Sequence, residues 1–132
     1  MKDEMTKGFV VDVYKQRNAR VVEFIDNLDN LYELTDCSCI DVAYRKVGKY
    51  FYDIVCDDEG LYRADRIPSA FNHKGEPMLV GNLLFLNHDE EGEFTSLTDE
   101  QIADLSKHIG EIYCEKDDEG FVCNIIVGCE YE

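Results

Sequence analysis

The sequence predicts an α+β domain, a largely antiparallel sheet of about six strands with two helices. Three observations carry that reading. Several segments rich in β-branched and aromatic residues alternate apolar with polar side chains, two others have helical spacing with their own caps, and 132 residues suit one domain spanning the whole chain. Composition agrees: 45% hydrophobic residues with only 2 Pro and 9 Gly is the make-up of a packed globule rather than a disordered tail.

In chain order, "GFVVDVYKQRNARVVEFI" places Phe9, Val11 and Val13, then Val21, Val22, Phe24 and Ile25, on either side of a polar break, and predicts two strands joined by a turn. Leu28, Leu31 and Leu34 follow at helical spacing, with Asp26 or Asn27 placed to accept hydrogen bonds from the open amides of the first turn. "CIDVAYRKV" and "KYFYDIVC" form a hairpin about Gly48. The stretch "LYRADRIPSAFNHKGEP" has no clear period and holds both prolines, Pro68 and Pro77, so it is expected to be mostly ordered loop. "MLVGNLLFLNH" returns to strand, with Gly81 marking a bulge or close backbone approach. Thr98 and Gln101 then have capping-box spacing, Leu97 and Ile102 can form a hydrophobic staple, and Gly110 is the expected left-handed stop of the second helix. A terminal hairpin over 111–131 closes the chain.

Charge is the dominant global feature, a formal −16 from 29 acidic and 13 basic residues. Residues 1–66 hold 10 basic and 14 acidic side chains, whereas 67–132 hold 3 and 15, net −4 against −12. Extended contact with nucleic-acid phosphates is therefore disfavoured, and a basic protein is the partner that the field suits. No apolar run approaches the roughly 20 residues of a membrane span and the first residues form no apolar signal, so the expected compartment is the cytoplasm, without membrane contact. In that compartment the six cysteines (Cys37, Cys39, Cys56, Cys114, Cys123 and Cys129) are expected as thiols. Only "CSC" has close spacing and the three histidines make no matching pair, so neither a metal nor any other cofactor is expected.

Three acidic clusters end in glycine: Asp57, Asp58 and Glu59; Asp89, Glu90 and Glu91, with Glu93 just beyond; and Asp117, Asp118 and Glu119. A turn whose glycine takes positive φ accounts for each. Consecutive carboxylates lack the alternating ligands and mid-loop glycine of a calcium loop. On one shared face their fields would add and attract a cationic protein surface; solubility alone is the competing account. An alternative small-ligand or enzyme site draws on Asn72, His73, Asn82 and His88 around the proline-bearing loop. Cys56 with "NHD" (Asn87, His88, Asp89) has the residue types of a thiol hydrolase but no local signature, and no phosphate-binding loop, zinc-protease or serine-hydrolase motif occurs.

The order of "FIDNLDNLYEL", "CIDVAYRK", "YDIVCDDEGL", "IPSAFN" and "LVGNLLFLNHDEEGEFTSLTDEQI" resembles an uncharacterised family of small acidic domains, domain of unknown function 3846, carried by mobile elements and phages of Firmicutes. The resemblance covers residues 8–109. The loop between Ile67 and Met78 and the added hairpin depart from it. It implies a mobile-element setting and no activity. The expected function is thus a non-enzymatic accessory protein that binds a basic partner, such as a nucleic-acid-binding or defence protein, through an acidic surface, with DNA mimicry or inhibition of host defence as forms that this could take.

Overall fold

The computed structural model describes residues 4–132. Its elements are β1 (Met5–Val11), β2 (Ala19–Ile25), α1 (Leu28–Thr35), β3 (Ile40–Val47), β4 (Tyr50–Asp57), a 3-10 turn (Gly60–Tyr62), β5 (Pro68–Phe71), β6 (Pro77–Val80), β7 (Leu83–His88), β8 (Phe94–Thr95), α2 (Asp99–Ser106), β9 (Ile109–Lys116), β10 (Glu119–Val127) and β11 (Cys129–Glu130). Seven strands form one sheet in the order β11-β3-β4-β7-β1-β2, with β8 on β7, and four form a second in the order β6-β5-β10-β9. Pairing is antiparallel except between β5 and β10. The class and both helices are those expected.

The strands outnumber the sequence reading for two physical reasons. The segment expected to be loop contains β5, whose pairing to β10 joins Ala70 to Ile126, far along the chain. The two-residue strands β8 and β11 are too short to display any period.

Alternation along the central strands sorts the core into two layers. Phe9, Val11, Tyr52, Ile54, Leu83 and Phe85 face the second sheet and α2, meeting Leu105, Cys123 and Ile126. Val10, Val55, Leu84 and Leu86 face the other way and pack with Phe24 and with Leu31 of α1. α1 starts on Asn27, whose side chain accepts the Asn30 amide at 2.8 Å. α2 starts on the complete Thr98–Gln101 capping box. No helix among the described residues is long and apolar enough to cross a membrane.

Gly110 does not stop α2. The helix ends at Ser106 with Lys107 as a right-handed cap, and Gly110 lies inside β9, where a Cβ would come within 3.2 Å of Val127. Close packing, not a left-handed turn, is its role.

Two glycines test this distinction between backbone and packing demands. Gly48 turns the β3–β4 hairpin at φ 62, and a Cβ there would lie 2.2 Å from Asp104 Oδ2, the atom that accepts the Lys49 amide at 2.9 Å. Gly48→Ala is expected to cost about 2–3 kcal/mol, combining left-handed strain with loss of that bond. At Gly120 the obstacle at 1.8 Å is the hydroxyl of Tyr113, an exposed side chain free to swing aside, so Gly120→Ala is expected to cost under about 1 kcal/mol. Urea denaturation midpoints compare the two.

Candidate functional site

β4 and β7 run antiparallel with Ile54 opposite Phe85. Asp57 therefore ends β4 where β7 begins, and His88 ends β7 where β4 begins. With roughly six residues between these ends and about 3.3 Å per residue, the first and second acidic turns are separated by about 20 Å. The first and second turns therefore form no common electronegative face, because β7 returns antiparallel along β4.

Each turn uses its carboxylates differently. Asp57 is turned inward: it accepts the Glu59 amide at 2.9 Å and lies 3.5 Å from Arg63 Nη1, its side chain only 6% exposed. Asp58 takes a long contact, 3.8 Å, from the Cys39 thiol, and Glu59 is exposed. In the second turn Asp89 Oδ1 accepts the amides of Glu91 and Glu93, which leaves Glu90, Glu91 and Glu93 exposed and without ion pairs among the described residues. Gly92 there has the positive φ expected of it, 83°. Gly60 and Gly120 do not. In the third turn Asp117 and Asp118 themselves adopt φ 54 and 66, a two-residue hairpin turn between Lys116 and Glu119, and aspartate tolerates that region better than most residues.

The alternative residues do not meet. Asn72 organises the β5–β6 hairpin by accepting the Lys74 and Glu76 amides. His73 binds Glu130 through its amide and its ring. Asn82 is a buried tie, accepting the Val13 amide at 2.9 Å and donating to the Leu34 carbonyl at 3.2 Å. His88 lies six residues further on, at the far end of β7. Nor do Cys56 and His88 pair, for they sit at opposite ends of β4 and β7 and on opposite faces of the sheet. Burial pushes the Cys56 thiol up to about 12, so it holds its proton. All six cysteines are free thiols, and the described residues contain no cluster of three metal-ligating side chains.

What does assemble is a surface around His88. Asp53, buried in β4, places Oδ2 2.5 Å from His88 Nδ1 and so fixes the ring. Tyr44 and Phe51 stack with ring centroids 5.1 Å apart and planes inclined by 10°, and the His88 ring is 6.0 Å from Tyr44. The rings share the sheet face that carries α1, yet Tyr44 is 51% and Phe51 38% exposed, because α1 packs over Val10, Val55 and Leu84 and leaves this corner open. Lys46 holds its ammonium 5.9 Å from the Phe51 ring. Glu90, Glu91 and Glu93 continue directly from the strand end that bears His88. A flat aromatic pair, an oriented imidazole and three unengaged carboxylates can together receive a cationic side chain, the rings through their faces and the acids through charge.

Tyr44, Phe51 and Asp53 are absent from the sequence-based expectation. The Gly48 hairpin register, which sets Tyr44 opposite Asp53, is the signal that could have joined them.

A family model described as Domain of unknown function (DUF3846) matches residues 5–110. The chain belongs to that family. The match takes in β1 through α2, and hence every residue of the His88 surface; most of β9, with β10 and β11, follows it. No curated protein and no solved structure matches the chain.

Proposed function

We propose that this DUF3846 chain is a non-enzymatic binding protein that docks a basic protein on the Tyr44–Phe51 pair and the adjoining turn at Asp89–Glu93. The observation that carries the reading is the stacked, exposed ring pair beside carboxylates that make no ion pair among the described residues. Exposed aromatic anchors with a charged rim are the anatomy of interface hot spots. A partner arginine can lie over a ring while its N–H groups reach the glutamates. In the mobile-element or phage setting, a nucleic-acid-binding or defence protein is the natural class of basic partner. The distance between the first and second turns favours one compact acidic docking site over a DNA mimic, which needs charge in a continuous ridge.

Titration of the isotope-labelled protein with an arginine-rich peptide tests the reading. Amide shifts are expected at Tyr44, Phe51 and 88–93, and Tyr44→Ala with Phe51→Ala should weaken binding at least about tenfold, the loss of one aromatic anchor. Asp117→Lys with Asp118→Lys should change it far less. Equal losses from both pairs of substitutions would reduce the interaction to general charge and refute the site.

A further inference from the structure

A second surface has the opposite chemistry. Between the Ala64–Pro68 segment and the β9–β10 hairpin lies a cavity of about 490 Å³, lined by Arg66, Ile67, Pro68, Lys116 and Phe121. Ile67, Lys116 and Phe121 also line a smaller adjoining recess that includes Arg17. The volume falls in the range of small-molecule sites.

The charge here runs against that of the whole protein. Arg17, Arg66 and Lys116 make no ion pair among the described residues, although the chain carries a net −16. The carboxylates bordering the two recesses are engaged. Asp65 is held by Arg63 at 2.9 and 3.1 Å, Asp36 by Arg63 and Lys15, and Glu115 accepts the Tyr113 hydroxyl at 3.4 Å. Arg17 lies with its guanidinium 3.8 Å over the Phe121 ring, an arrangement that fixes its plane and leaves N–H edges free. Its backbone sits at φ 62, uncommon for a non-glycine residue.

We infer that this groove binds a small phosphomonoester carrying a flat ring. Three cations that make no ion pair among the described residues, Arg66 bonding only the Arg63 carbonyl, suit a dianion, and Ile67, Pro68 and Phe121 give a ring its apolar walls. The groove shares no residue with the His88 surface, and the inference does not depend on the proposed docking role.

Phenyl phosphate is the minimal probe. In an amide-shift titration it is expected to perturb Arg17, Ile67, Lys116 and Phe121 saturably, and to bind at least about tenfold more tightly than either inorganic phosphate or phenol. Arg66→Glu and Lys116→Glu, both at exposed positions that leave the fold intact, should each weaken it at least about fivefold. Binding should be tighter at pH 7.5 than at pH 5, because the second phosphate ionisation lies near pH 6, whereas general repulsion by this acidic chain predicts the reverse. Absence of shifts at those residues, or equal affinity in both variants, overturns the site; equal binding of inorganic phosphate overturns the role of the ring.

Discussion

Phe85→Ala is expected to lower the free energy of unfolding by about 4 kcal/mol, the largest effect of any substitution considered. Phe85 is wholly buried at the centre of β7, where its backbone pairs with Phe9 of β1 on one side and Ile54 of β4 on the other. The ladders on both sides hold the backbone in place, so the space left by the ring cannot collapse. The ring also meets Tyr52 edge-on, with centroids 5.5 Å apart and planes at 82°, and that geometry adds about 0.5–1.5 kcal/mol beyond burial. Tyr52 in turn donates from its hydroxyl to the Gln101 carbonyl at 3.2 Å, so loosening it weakens the anchoring of α2. Urea denaturation followed by far-UV circular dichroism measures the change. A loss under about 2 kcal/mol with unchanged slope would mean that the core refills the cavity, contrary to the rigidity assigned to β7.

The same ladders explain which parts of the fold the sequence discloses. The β1–β2 and β3–β4 hairpins, Asn27 as a cap and the Thr98–Gln101 box rest on contacts a few residues apart, and local pattern is enough to find them. The strand order is a different matter, because β7 inserts between β4 and β1 through pairings about 30 and 75 residues apart. That insertion decides where the first and second acidic turns lie, and no local pattern encodes it. The functional surface divides in the same way. His88 and the turn at Asp89–Glu93 stand out as residues, whereas Tyr44 and Phe51 read as ordinary strand aromatics until the path of α1 leaves them uncovered. Asp53 is one carboxylate among many until its burial against His88 sets it apart. The cationic groove is hidden for a further reason: Arg17, Arg66 and Lys116 come from three separate segments of a chain whose overall charge points to the other sign.

Arg63→Ala is expected to cost about 2–3 kcal/mol, somewhat below the loss for a fully buried pair because the side chain is 24% exposed. Arg63 joins three carboxylates: Asp65 at 2.9 Å, Asp36 at 3.4 Å and Asp57 at 3.5 Å; it also donates to the Asp36 carbonyl at 2.7 Å and lies over Tyr14 at 4.1 Å. Removing it leaves Asp57 buried without its cation, and three like charges gathered about an empty place. Arg63→Lys should recover only part of the loss, since one ammonium cannot reproduce a planar fork that donates in several directions. Acid titration gives the same substitution a signature that packing alone would not produce. The bond from Arg63 holds the Asp65 carboxyl below its usual range, so this group contributes stability that is present above the ordinary aspartate value, about 3.9, and fades as pH falls through its lower folded value. In Arg63→Ala that contribution is absent at neutral pH, and the stability of the variant should fall less steeply below pH 4 than that of the parent. Parallel acid limbs in the two proteins would show that the Arg63–Asp65 bond does not form in solution, and would count against the cluster in which the same arginine turns Asp57 inward.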